Sequence, residues 1–197
     1  MPTALTLPPV RLDPPRKLWT RPEYDELTST GALDQQRLEL VEGELIDKMG
    51  KKRPHANSMT RLRHWLEGVF GFLFVNTEVS IDVAPEDNPT NEPEPDIIVF
   101  KRADTEFTAN PRPDDLHLVV EISDTTLGFD LTTKAGLYAR AGIVEYWVLD
   151  IAGRRMIVHR EPQSGRYISV VVYGEHESVA PLAAPESQFR VSDAFPS

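Results

Sequence analysis

Apolar positions along this chain recur with two periods, and each stretch predicts an element. Met59, Leu62, Trp65, Leu66, Val69, Phe70, Leu73 and Phe74 step by threes and ones. That spacing is a helical stripe facing a core, so a helix is predicted from Asn57 onward. Val79, Ile81 and Val83 alternate with polar residues, as a half-buried strand does. Asp96 to Phe100 and His117 to Ile122 are short continuous apolar runs, the pattern of central strands covered on both faces. A second helix is predicted over about Asp130 to Ala141, with Leu131, Ala135, Tyr138 and Ala141 inward and Gly142 as its C′ glycine. Glu145 to Asp150 reads as a further strand. Arg155 to Arg160 and Arg166 to Tyr173 read as two more, joined by a Gln163-Ser164-Gly165 turn.

Shorter signals complete the order. Thr20-Arg21-Pro22-Glu23 has the form of a capping box opening a short helix that carries Tyr24 and Leu27 and ends at Gly31. Leu38 to Ile46 reads as a hairpin turning at Glu42-Gly43. Six prolines within the first 22 residues predict an extended N-terminal arm over 1–19. The tail, 180–197, is rich in Pro, Ala and Ser and is expected to drape over the surface. Between them, 20–179 reads as a single α/β domain: a mixed β-sheet flanked by α-helices.

Composition narrows the function classes. With no cysteine among 197 residues, disulfides, thiolate metal sites and cysteine nucleophiles are excluded. No apolar run reaches the roughly 18 residues of a membrane span. No cationic start followed by an apolar stretch marks a signal peptide, so the cytoplasm is the expected compartment. The net charge of −10 argues against a protein that coats nucleic acid by bulk electrostatics.

The charge is segregated, however. Lys48 to His64 holds six cationic residues and no acid, a local +6. Glu78 to Asp96 holds seven acids and no base, a local −7. Two solvated surfaces would explain this. So would a phosphate-contacting strip beside a carboxylate-rich, cation-binding centre.

Two carboxylates stand inside predicted buried strands. Asp96 follows Pro95 at the start of one, and Glu121 sits near the end of another between Val120 and Ile122. A buried carboxylate needs a cation, a hydrogen-bond cluster or a metal. Lys134 lies 13 residues after Glu121, on the helix expected to return over the strand end. The three residues make either a structural ion pair at a sheet edge or a reactive site.

The motif order decides which comparison to make. Pro95-Asp96, Glu121-Ile122-Ser123-Asp124-Thr125-Thr126-Leu127, Asp130, Lys134, Tyr138 to Ile143 and Glu145-Tyr146-Trp147 follow one another. Together with Leu38 to Glu44 and His55, they resemble the Uma-type family of putative restriction endonucleases, a branch of the PD-(D/E)XK nuclease superfamily. The resemblance covers about Tyr24 to Arg160. It implies a restriction-endonuclease-like fold and a Mg²⁺- or Mn²⁺-dependent endonuclease that hydrolyses phosphodiester bonds of DNA.

The resemblance also implies roles. Asp96 and Glu121, with the backbone carbonyl of Ile122, would hold the ion. Lys134 would orient the attacking water, and Glu39 would complete the catalytic group. The superfamily's usual lysine lies two residues after the second acid, where this chain has Ser123. Lys134 matches branches in which the lysine has moved to the next helix. His55, Lys51, Lys52, Arg53 and Tyr138 are the expected substrate contacts. DNA binding is expected to be weak and metal-dependent. Cutting two strands from one small site calls for two subunits, which predicts a homodimer. Two other readings stand beside this one: a nuclease-fold protein that binds nucleic acid or a partner without cutting, and an assembly protein whose ion pairs are structural.

Overall fold

The computed structural model describes residues 16–31, 33, 36–48 and 52–196. Lys51, and the N-terminal arm as far as residue 15, lie outside the described residues.

The first helix, α1 (Arg21–Ser29), starts where the capping signal places it, with the Thr20 amide donating to Glu23 Oε2 at 2.9 Å. A hairpin of β1 (Leu38–Val41) and β2 (Glu44–Asp47) follows. Its turn residues Glu42 and Gly43 both have positive φ. Gly43 is the position that demands glycine: its φ is +75° and a Cβ there would lie 2.9 Å from the Leu18 Cβ.

Helix α2 (Arg53–Phe70) opens one turn earlier than the apolar stripe suggests. Pro54 falls in its first turn, where a missing amide costs nothing and the fixed φ suits the helix. The stripe overruns at the other end. Gly71, at φ +93°, stops the helix, and Phe72–Phe74 form a separate 3₁₀ turn.

The main sheet has six strands in the order β3-β4-β5-β6-β7-β8. They are β3 (Val75–Asn76), β4 (Ile97–Phe100), β5 (Leu116–Ser123), β6 (Glu145–Asp150), β7 (Arg155–Gln163) and β8 (Arg166–Gly174). Only β5 and β6 pair in parallel; the other neighbours are antiparallel. The helical crossover between β5 and β6 consists of α3 (Leu127–Phe129), a π-helical turn (Asp130–Lys134) and α4 (Ala135–Arg140). Gly142, at φ +78°, follows it.

The expected strand over Val79 to Val83 is absent. Ile81 and Val83 are buried, but the segment is irregular. The Glu78, Ile81 and Asp82 amides donate to the carbonyls of Pro95, Pro93 and Pro111. Prolines have no amide to return, so no ladder can form there.

Alternation along the strands sorts the core into two faces. Ile97, Val99, Leu118, Val120, Trp147, Leu149, Met156 and Val158 face α2, while Ile98, Val119, Tyr146, Val148 and Ile157 face α4. The C-terminal segment does not drape over the surface. Val179, Phe189, Val191, Ala194 and Phe195 are buried in the core under α2, and Phe189 packs on Trp65 with ring centroids 5.0 Å apart. Two short strands, β9 (Ser178–Val179) and β10 (Phe189–Arg190), tie this segment to itself. The wholly buried Glu145 anchors it, accepting from Arg160, Trp147 Nε1 and the Leu182 amide. Among the described residues, no helix is long and apolar enough to cross a membrane.

Candidate active site

The register of β4 and β5 brings the two acids together. Ile97 pairs with Val120, so one residue further along the same register Asp96 falls opposite Glu121. Both lie on the α4 face by alternation. The Ile122 amide donates to Asp96 Oδ2 at 2.8 Å, which fixes the aspartate against the end of β5. His55, in the first turn of α2, places Nε2 3.2 Å from the same oxygen.

The π-turn positions the lysine. It widens one turn of the crossover helix, so Asp130 and Lys134 are both buried on the side that Tyr138 continues. Lys134 Nζ donates to Glu121 Oε1 and to Glu39 Oε1, each at 2.8 Å. Glu39 comes from β1 and its other oxygen accepts the Glu94 amide at 3.0 Å. Both of its oxygens are therefore engaged, and its contact with the site is through Lys134. Thr126 Oγ1 donates to Asp130 Oδ2 at 2.6 Å.

The electrostatics follow from burial. Glu39, Asp96, Glu121, Asp130 and Lys134 each keep 5 % or less of their surface exposed. Burial pushes the Glu121 carboxyl up to about 8; Lys134 opposes the shift, while Asp96, Asp130 and Glu39 add to it. Burial likewise raises Asp130. Burial alone would lower Lys134, but the charges of Glu121, Glu39 and Asp130 hold it well above the ordinary lysine value. Lys134 is paired directly with Glu121 and Glu39, and Asp130 adds its charge from the same side.

These groups line a cleft of about 80 Å³, room for a few waters and an ion. Lys48 and Lys52 also line it. The structure thus brings Asp96, Glu121, Lys134, Glu39, Ile122, His55 and Lys52 to one place. Arg53 is exposed on α2 and stands outside the cleft lining. Tyr138 is wholly buried, so it is not a substrate contact; its hydroxyl donates to Glu121 Oε1 at 3.0 Å. Sequence reasoning missed Asp130 and Lys48. Asp130 reads as a helix cap from its position, yet an acid four residues before Lys134 was signal enough to place it on the same helical side. Lys48 belongs to the cationic strip, and its Nζ donates to the Glu94 carbonyl at 2.7 Å.

Among the described residues no three His, Asp or Glu side chains form a ready-made metal cage. The donors do suit a hard divalent ion. Mg²⁺ is commonly held by one or two carboxylates, with waters and substrate phosphate completing its shell. Asp96 and Glu121 could supply that pair, in a site where acidic side chains outnumber the buried cation.

No curated protein matches the chain. A solved structure described as a putative nuclease belonging to DUF820, from Anabaena variabilis, is similar in fold. It is 19 % identical, with a TM-score of 0.62 over 82 % of this chain and 90 % of that one. The family model described as "Putative restriction endonuclease" matches residues 21–192, a span that includes Glu39, Asp96, Glu121 and Lys134. The chain accordingly belongs to the Uma2 family of putative restriction endonucleases.

Proposed function

We propose that this protein is a divalent-metal-dependent endonuclease that hydrolyses phosphodiester bonds of DNA, and that it works as a homodimer. The observation that carries the reading is the shared lysine. Lys134 is buried at 2.8 Å from both Glu39 and Glu121, beside Asp96 and Asp130, in a cleft rimmed by Lys48 and Lys52. Four buried acids around one ammonium push their own carboxyls toward the protonated form, and a bound divalent cation would let them ionise instead.

Asp96 and Glu121 would hold Mg²⁺ or Mn²⁺. Bound there, such an ion lowers the pKa of a coordinated water and offsets charge on the phosphate oxygens. Lys134 orients the attacking water and stabilises the extra charge of the transition state. Glu39 holds Lys134 in place, and Tyr138 fixes the rotamer of Glu121. His55 braces Asp96. Lys52, exposed at the rim of the cleft, receives a flanking phosphate, so DNA binding is salt-sensitive.

One feature favours a second reading, a nuclease-fold protein that binds without cutting: Ser123 occupies the position where the superfamily keeps its lysine. The test is DNA cleavage with Mg²⁺ or Mn²⁺ by the wild type, Asp96→Ala and Glu121→Ala. The endonuclease reading expects cleavage by the wild type, lowered by at least about 100-fold in each variant, as when transition-state stabilisation is lost. Binding of intact DNA with no cleavage by any of the three proteins would support the second reading.

A further inference from the structure

The far edge of the sheet from the cleft carries a surface of a different kind. Within five residues of β8, Ile168, Val170, Val171 and Val172 are 50, 51, 43 and 51 % exposed. The other large apolar side chains that are exposed among the described residues, Leu18, Phe72, Leu73, Val144 and Leu182, are scattered. β8 is nine residues long and pairs only with β7, so its outer edge presents unpaired amides and carbonyls. No lysine or proline interrupts the strand. A long, apolar, unguarded edge of this kind pairs with another strand unless something blocks it.

We propose that β8 pairs antiparallel with β8 of a second copy of this chain, about a two-fold axis at Val170, joining two six-stranded sheets into one. The strand is self-complementary in that register. Reading Arg166-Tyr167-Ile168-Ser169-Val170-Val171-Val172-Tyr173-Gly174 against itself sets Val170 opposite Val170 and Ile168 opposite Val172, all of them exposed. Pairs of β-branched residues are a favourable cross-strand combination. The ends also match in charge. Arg166 begins the strand and is exposed, while the exposed Glu177 follows its far end, so each end of the pair sets a cation near an acid of the other copy. On the α4 face, Val170 and Val172 border a groove of about 550 Å³ with Ile157, Tyr167, Leu131 and Ala135. The axis makes the grooves of the two copies continuous across the new pair of strands.

Antiparallel pairing reverses the second sheet, so the two clefts open on opposite edges of the joined sheet. The pairing surface does not depend on the endonuclease reading.

Light scattering on the full chain, eluting from a sizing column at micromolar concentration, tests the proposal. The expected mass is twice 22.2 kDa. Val170→Lys and Val170→Glu each place like charges face to face at the axis, and each is expected to raise the dissociation constant by at least about tenfold. Mixing the two variants is expected to restore the dimer, because lysine then faces glutamate. Far-UV circular dichroism verifies that both variants are folded. A single-chain mass for the wild type, or a Val170→Lys variant as dimeric as the wild type, overturns the proposal. A mixture that stays at one chain overturns the register at Val170.

Discussion

Lys134 is the residue on which the site depends most. Its ammonium answers two buried carboxylates at 2.8 Å, and Lys134→Met would leave Glu39 and Glu121 without it. Removing one partner of a buried ion pair costs about 3–5 kcal/mol, so urea unfolding without metal should show a loss of that size above pH 8. The loss should shrink as the pH falls through about 8 and the Glu121 carboxyl takes up its proton. Tyr138→Phe is a milder change. It removes one hydrogen bond to Glu121 and should cost about 1 kcal/mol, with weaker stabilisation by Mn²⁺ in a thermal melt. His159 gives a pH signature away from the cleft. It packs against Tyr146 and Tyr167, and burial lowers its pKa from 6.5. The unfolded chain therefore binds a proton that the folded chain resists, so stability is full above pH 6.5 and falls as the pH drops below it. His159→Phe should flatten that limb by up to about 1.4 kcal/mol per pH unit in denaturant melts taken between pH 5 and 7. At this scale the sequence was informative where charge met an apolar run. Asp96 and Glu121 stand out because a carboxylate inside such a run must have a partner. Tyr138 was misjudged because helical spacing from Lys134 places a residue on a side of the helix without revealing how deep it lies.

Among the elements, the crossover between β5 and β6 does most to build the site. Its π-turn keeps Asp130 and Lys134 on one buried side. Deleting the exposed Thr132 should regularise the helix, turning Asp130 about 100° away from Lys134. The expected outcome is loss of metal-dependent cleavage with the helical dichroism retained. Elements with clean periodicity were legible: the capping box of α1, the turn at Glu42-Gly43 and the buried runs of β4 and β5. Val79 to Val83 was not. Alternation reports which residues are buried, and Ile81 and Val83 are; it does not report whether the neighbouring chain has amides to offer. Three prolines beside this segment decide that question. The first turn of α2 escaped for a similar reason, since Arg53 to Ala56 carries no apolar stripe while Pro54 supports the helix by its φ alone.

At the scale of the whole molecule, the C-terminal segment closes the core that α2 begins. Its proline, alanine and serine content disguised Phe189, Val191 and Phe195, which are almost fully buried. Each such side chain contributes about 1.5–3 kcal/mol by burial, a large share of a domain's net stability. Removing residues 189–197 should therefore leave a chain that no longer unfolds cooperatively in a calorimetric melt. The charge balance is also read best at this scale. A net charge of −10 discourages DNA, but the acids concentrated around Asp96 are partly the proposed ion site itself. DNA binding should consequently strengthen with Mg²⁺ and weaken with salt. Anomalous diffraction from crystals soaked in Mn²⁺ tests the central claim most directly. The account predicts a peak bound by the carboxylates of Asp96 and Glu121, lost in Asp96→Ala crystals. A well-ordered cleft with no peak at saturating Mn²⁺, or a peak that ignores the substitution, would contradict it.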